Sequence, residues 1–176
     1  MKVVTRKRKE NQYRTISESI LIFLSELNDD LDKALEIGPY SKKQLKTTLY
    51  GLRRRNFIAF PARNPKSRIV ITKLGWRRLN EIKFNSLKIE RRPWDRKWRL
   101  LTFDIPENKN LVRHKFRRKL KQLGFFHFQR SVFILPFPCN DEIEELANYL
   151  EIAPNVHVLV ADRFPSDSAL VKKFNL

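Results

Sequence analysis

The sequence predicts an α+β protein with two halves: a helix-rich N-terminal half that includes two short strands, and a C-terminal half in the order βαββαβ. Two patterns support this prediction. In the first half, apolar residues recur at helical spacing, and in the second half short β-prone runs alternate with amphipathic segments. The chain has 176 residues, which is enough for two small domains.

Three helices are predicted before the first strand. Thr15 and Glu18 have the spacing of a capping box, and apolar residues at helical spacing follow them. The run "LDKALEI" predicts a short second helix, which Gly38 ends. Ser41 and Gln44 form another capping box and start a third helix that reaches about residue 56.

The third helix has two different faces. Leu45, Leu49 and Leu52 recur at helical spacing and predict one buried stripe. The opposite face is polar and cationic, with Lys42, Lys43, Lys46, Thr47, Thr48, Tyr50, Arg53 and Arg54. A face of this kind suits the groove of a nucleic acid.

Two β-prone runs, "FIAF" (57–60) and "RIVIT" (68–72), are joined by "PARNPKS", which predicts a turn. Thr72 then caps a closing helix whose inner face is Leu74, Leu79 and Ile82. The order helix, helix, basic helix, strand, turn, strand, helix is typical of a winged helix-turn-helix. We place this domain at residues 15–84, behind a basic arm at residues 1–14.

The net charge of +18 is concentrated in one segment. Residues 42–92 hold 16 Lys and Arg against 2 Asp and Glu, whereas residues 1–41 are balanced. A polyanion is the partner that such a field attracts, and nucleic acid is the usual one. A solvated basic face is the alternative, and an anionic membrane would require a terminal amphipathic helix.

If this segment binds duplex DNA, position along the helix assigns the roles. Residues in the first turn and the wing are expected to neutralise phosphates: Lys42, Lys43, Arg63, Lys66 and Arg68. Residues farther along the outer face are expected to read base edges: Lys46, Thr47, Tyr50 and Arg53. Arg54 and Arg55 offset the helix dipole at its C-terminus.

After a polar linker at residues 85–94, the second half predicts a domain at residues 95–161. Its expected strands are 97–105, 125–128, 131–135 and 156–161, and its expected helices are 108–123 and 140–150. The order βαββαβ is that of a ferredoxin-like domain. Residues 162–176 are expected to form a C-terminal tail.

The segments "WDRKWRLLTFDIPE", "RRKLKQLGF" and "QRSVFILPFPC" resemble the central domain of PaaX-type transcriptional repressors. That domain is itself similar to the CRISPR-associated Cas2 endonuclease-like family. The resemblance implies a repressor with an N-terminal winged helix. PaaX-type proteins usually continue into a further domain, whereas only residues 162–176 follow the last predicted strand here, so we expect a relative that is shortened at its C-terminus.

Asp104 ends the first strand of the second half and is the candidate metal ligand. The resemblance to the CRISPR-associated family implies that two such aspartates, one from each subunit, hold a magnesium ion. Mg²⁺ accepts one or two carboxylates plus waters, but no second ligand recurs at metal-binding spacing. The alternative is a structural role, in which Asp104 accepts backbone amides at the turn into the helix. The sequence also departs from the CRISPR-associated family at residue 134, because Ile134 follows Phe133 where that family commonly has an acid.

We therefore expect a cytoplasmic transcriptional regulator that binds double-stranded DNA as a homodimer, with no cofactor and an effector of unknown kind. One Cys, and no apolar run of bilayer length, favour the cytoplasm and argue against a membrane protein. The alternative is a magnesium-dependent nuclease or spacer-adaptation subunit of the Cas2-like kind, with Asp104 as its catalytic and metal-binding residue.

Overall fold

The computed structural model describes residues 15–26, 40–60 and 69–176. The chain divides into two compact units, residues 1–86 and 87–176, and combines helices with antiparallel sheets as the α+β prediction requires. The basic arm (1–14), the predicted second helix (31–37) and the predicted wing turn (61–67) lie outside the described residues.

The described part of the N-terminal unit consists of α1 (Ile16–Glu26), α2 (Lys42–Arg54), β1 (Ile58–Ala59), β2 (Val70–Ile71) and α3 (Lys73–Ser86). The strands pair antiparallel, with Ile58 opposite Ile71. Leu21, Leu24, Leu52 and Leu79 are each at most 1% exposed and join these elements in one apolar core. Helical spacing in the sequence therefore identifies most of this core.

The helix starts expected from the sequence are present. The hydroxyl of Thr15 accepts the amide of Glu18 at 3.2 Å, and that of Thr72 accepts the amide of Gly75 at 3.0 Å. The prediction that Leu74 lies on the inner face of α3 is wrong, because Leu74 is 43% exposed. The buried stripe is Gly75, Leu79 and Ile82, and Leu74 precedes it by about 100° of helix rotation.

Gly75 is the residue that lets α3 approach β1. A Cβ at this position would overlap the carbonyl oxygen of Phe57. The amide of Thr72 donates to the same carbonyl at 3.0 Å, so the two segments are joined by a backbone hydrogen bond beside the close contact. Only glycine fits here without a shift of the backbone.

The C-terminal unit contains β3 (Trp98–Phe103), α4 (Asn110–Gln122), β4 (Phe126–Gln129), β5 (Val132–Leu135), α5 (Asn140–Tyr149), β6 (Val156–Ala161) and α6 (Ser168–Phe174). The strands form one antiparallel sheet in the order β4-β5-β3-β6. Because side chains alternate along a strand, the central strands β3 and β5 have two apolar faces to cover.

One face of the sheet is covered by α4, and Lys115 of α4 contacts Tyr149 of α5. The ring of Phe103 meets that of Phe116 edge to face, with centroids 5.2 Å apart, and Phe133 packs beside them. The other face is covered by α6, where Leu170 packs against Trp98 and Ile134. The last helix therefore completes the core of this unit.

Residues 162–176, expected to be a tail, thus contain a helix. Arg163 forms two hydrogen bonds with Asp167, at 3.0 and 2.8 Å, just before α6 begins. From the sequence, the position of Trp94 and Trp98 near the linker predicts that they pack the two domains together. In the structure the ring of Trp98 lies 5.0 Å from that of Trp94 and 5.9 Å from that of Phe174 of α6, so both are part of the core of their own unit.

Three further details differ from the sequence-based expectations. A 3₁₀ turn (Glu107–Lys109) precedes α4, so the helix begins at Asn110. The sequence also predicts Asn140 as the cap of α5, but Asn140 is the first residue of this helix and Cys139 is its cap, without a side-chain hydrogen bond. The sequence places Lys119 among the cations around the apolar stripe of α4, which predicts a solvated side chain, but Lys119 is only 4% exposed, and this burial lowers the pKa of its ammonium group.

Candidate nucleic-acid interface

The outer face of α2 is a continuous polar and cationic surface. Leu45 and Leu52 are buried in the N-terminal unit, and the residues on the opposite side are exposed. This exposed set, which we call the α2 face, is Lys42, Lys43, Lys46, Thr47, Tyr50, Arg53 and Arg54. Tyr50 is the most open of the large apolar or aromatic side chains of α2, at 68%.

A complete capping box fixes where α2 begins. The amide of Gln44 donates to the Ser41 hydroxyl at 3.3 Å, and the amide of Ser41 donates to Oε1 of Gln44 at 2.9 Å. Lys42 and Lys43 therefore occupy the first turn, where the positive end of the helix dipole adds to their charge. An anion such as phosphate is favoured at a helix start of this kind.

At the other end of α2, Arg53 is held against the end of the strand. Its guanidinium carbon lies 5.5 Å from the centre of the Phe60 ring, in the range of a cation–π contact. Arg53 is exposed, and the Phe60 side chain is 37% exposed. The contact restricts Arg53 without removing its donors from solvent.

Sequence reasoning missed Phe60 as a member of this surface. "FIAF" predicted a strand, and the strand ends at Ala59, which leaves the Phe60 ring beside α2. The signal available in the sequence was an aromatic residue at the end of a β-prone run, which does not indicate an arginine partner.

Arg55 has a structural role. Its guanidinium donates to the hydroxyl of Ser17 at 3.1 Å and to the carbonyl of Gly51 at 3.2 Å, and it lies 5.4 Å from the centre of the Phe57 ring. It thereby ties the end of α2 to α1. The wing residues expected to bind phosphate, Arg63, Lys66 and Arg68, lie outside the described residues.

Asp104, the candidate metal ligand, is exposed at the end of β3. Its backbone amide donates to the carbonyl of Asn155 at 3.0 Å, which extends the pairing of β3 with the chain before β6. Within the described ranges its carboxylate accepts no hydrogen bond, and no group of three His, Cys, Asp or Glu is placed to hold a metal ion. The expected acceptance of backbone amides by this side chain is thus not seen.

The C-terminal unit also has an open groove of about 480 Å³. Its lining includes the cations Arg91, Lys121 and Lys173 and the rings of Phe126 and Phe174. Lys121 and Lys173 lie in the last turns of α4 and α6, where cations offset the negative end of the helix dipole. The helix ends therefore account for two of the three charges.

Residues 91–171 match the family model described as the PaaX protein central Cas2-like domain. The match spans a little under half of the chain, includes the three segments that carry the resemblance, and supports membership of the PaaX family. No helix among the described residues has both the length and the apolar character needed to cross a membrane.

Among solved structures the chain is similar to the uncharacterized protein Rv0674 from Mycobacterium tuberculosis, at 16% sequence identity with a TM-score of 0.36. The alignment covers 88% of this chain and 57% of that one, so the chain spans little more than half of its length. No curated protein matches the sequence.

Proposed function

We propose that this chain is a cytoplasmic transcriptional regulator of the PaaX-like type that binds double-stranded DNA through a winged helix-turn-helix in its N-terminal unit. One observation carries the proposal: the exposed cations of α2 all lie outside the stripe of its buried leucines, so the solvent side of the helix is cationic. A helix with one apolar face against its own domain and one cationic face in solvent is suited to the major groove.

The contacts divide into two classes. Lys42 and Lys43 at the helix start, together with Arg63, Lys66 and Arg68 of the wing, neutralise phosphates and position the protein. Lys46, Thr47, Tyr50 and Arg53 face the base edges, where Lys and Arg bind guanine and a Thr methyl contacts thymine. Arg53 is the best positioned of these, because the contact with Phe60 reduces the side-chain entropy that it loses on binding.

In this proposal the C-terminal unit is a ferredoxin-like domain that pairs two subunits. The antiparallel strand order β4-β5-β3-β6 supports that fold. A twofold dimer presents two recognition helices, so the operator is expected to contain two half-sites related by symmetry.

Two measurements on the full chain test the proposal. Selection from random duplexes should return a palindromic sequence, because two copies bind related half-sites. Affinity for the selected duplex, followed by fluorescence anisotropy, should fall as salt rises, with a log-log slope of about 0.9 per neutralised phosphate. A slope near zero between low and physiological salt, or no binding of any duplex at low salt, would overturn it.

A further inference from the structure

The strand β6 is an open edge of the C-terminal sheet. It pairs with β3 along its whole length, from Val156 opposite Phe103 to Ala161 opposite Trp98, and no described strand lies on its other side. Its sequence, VHVLVA, contains no charged residue. Leu159 and Val160 are 54% and 56% exposed.

The backbone groups that face outward can be identified. The amide of Asp104 donates to the carbonyl of Asn155, so residue 155 directs its hydrogen-bonding groups toward β3. Because these groups alternate along an antiparallel strand, residues 157, 159 and 161 also face β3. The outward amides and carbonyls therefore belong to Val156, Val158 and Val160.

The two edges of the sheet are protected differently. The pairing of β4 with β5 is irregular between His127 and Gln129, whereas a charged residue directly follows both strands, Arg130 after β4 and Asp162 after β6. Bulges and charges are the devices that keep an edge strand from pairing with another chain. The β6 edge has a regular register and neither device along its length.

We propose that β6 pairs antiparallel with β6 of a second copy of this chain and joins the two sheets into one. The inference rests on the homodimer of the proposed function and names its surface. Charge favours this edge, because two chains of net charge +18 repel each other and approach at the lowest cost where uncharged strands meet. Burial of the exposed Leu159 and Val160 side chains stabilises the pair.

The backbone also selects the register. In a continuous antiparallel sheet, residues that lie opposite each other point to the same face. The twofold axis that relates two copies of one strand must therefore pass between a residue and the same residue of the second copy. With Val158 at the axis, Val156 lies opposite Val160 of the second copy, and every outward group finds a partner. With Leu159 at the axis, the outward groups of Val156 lie beyond the end of the partner strand.

Variants of the outward edge test the surface. Val158→Pro removes an outward amide and leaves the ladder to β3 in place, as edge strands tolerate. Val160→Lys places a charge opposite Val156 of the second copy. By sedimentation equilibrium at physiological salt, each should raise the dimer dissociation constant about tenfold or more. Val70→Lys, at a 42% exposed valine of β2, is the matched control and should leave it unchanged.

Cysteine pairs test the register independently of stability. In the Val158-centred register, His157 lies opposite Leu159 of the second copy in a non-hydrogen-bonded pair, with Cα atoms about 4.5 Å apart. The double variant His157→Cys/Leu159→Cys should therefore form interchain disulfides on mild oxidation. Leu159→Cys alone should not, because its two copies are diagonal, about 7–8 Å apart. Cys139 is 1% exposed and burial raises the pKa of its thiol to about 12, so it does not compete.

The outcomes separate this inference from the DNA-binding function. If the parent is a dimer, Val158→Pro and Val160→Lys stay dimeric, and His157→Cys/Leu159→Cys does not cross-link, the β6 surface is wrong. Palindromic DNA binding would still stand in that case. A parent that is monomeric at every concentration would overturn both the surface and the homodimer. Efficient cross-linking of Leu159→Cys alone would overturn the register. Slow hydrogen exchange of the Val156, Val158 and Val160 amides in monomer would show that another segment of the same chain covers the edge, and would also overturn the inference.

Discussion

The indole Nε1 of Trp98 donates a hydrogen bond of 2.9 Å to Oδ2 of Asp167, and both side chains are buried. Trp98 begins β3 and Asp167 precedes α6, so this bond joins the first strand of the C-terminal unit to its last helix. Arg163 adds two charge-assisted hydrogen bonds to the same carboxylate. These donors hold the pKa of Asp167 at about 2, below its usual value of 3.8.

Asp167→Asn should destabilise the C-terminal unit in a pH-dependent way. Because the pKa of Asp167 is depressed in the folded state, its stabilisation is present above pH 3.8 and is lost as pH falls toward about 2. The difference in unfolding free energy between parent and variant should therefore be constant near neutral pH and shrink below about pH 4.

Urea unfolding followed by tryptophan fluorescence measures this difference, in a Trp76→Phe background so that the signal comes from Trp94 and Trp98. Asp162→Asn removes an exposed acid nearby and is the control. A parent-to-variant difference that stays unchanged from pH 6 to pH 3 would contradict the assigned role of the carboxylate.

Gly75→Ala should destabilise the N-terminal unit by about 1–3 kcal/mol, because the added methyl overlaps the carbonyl of Phe57. Gly51→Ala is the matched change in α2, where the nearest atom to a new Cβ is in Arg55 at 3.9 Å. It should stabilise the helix by up to about 1 kcal/mol. Thermal unfolding of both variants checks the signs, and equal effects would show that the close approach of α3 to β1 is wrong.

Lys42→Ala/Lys43→Ala should weaken DNA binding nearly equally on all sequences and reduce the salt slope by up to about 2, since each lysine neutralises one phosphate. Lys88→Ala/Lys172→Ala removes the same charge at exposed positions of the C-terminal unit. Anisotropy titrations over a salt series compare the pairs. If the control pair lowers the slope as much as the α2 pair, general charge rather than the helix start is responsible.

Arg53→Ala should cost about 1–3 kcal/mol on the selected duplex and much less on a scrambled one, because a base contact distinguishes sequences. Arg54→Ala, at the neighbouring exposed position, should affect both duplexes alike. Phe60→Leu should give a smaller loss than Arg53→Ala, since it removes the ring that holds the guanidinium. Equal losses of Arg53→Ala on the two duplexes would assign Arg53 to phosphate.

Asp104→Ala should leave both DNA binding and stability in Mg²⁺ unchanged, because Asp104 belongs to no group of three His, Cys, Asp or Glu among the described residues that could hold a metal ion. The measurements are thermal unfolding with and without Mg²⁺ and incubation with labelled nucleic acid. Cleavage by the parent that Asp104→Ala abolishes would instead support the nuclease alternative.

Local patterns in the sequence predicted the elements that depend on interactions between residues close together along the chain. Ser41 and Gln44 mark the start of α2 and the leucines mark its buried side, because capping and helical spacing are interactions within a few residues. The same leucine spacing also predicted which residues form the cationic face of α2. Strand β6 was likewise expected at 156–161, where the structure has it.

Contacts between distant residues decided the rest. "SALVKKF" is a short segment that local signals left as a tail, and it is helical where Leu170 packs on Trp98 and Asp167 accepts the indole hydrogen. Lys119 is buried and Leu74 is exposed because contacts with the neighbouring elements determine which side of a helix faces the core. The outward direction of Val156, Val158 and Val160 could not be read from VHVLVA alone, since it depends on which side of the strand β3 occupies.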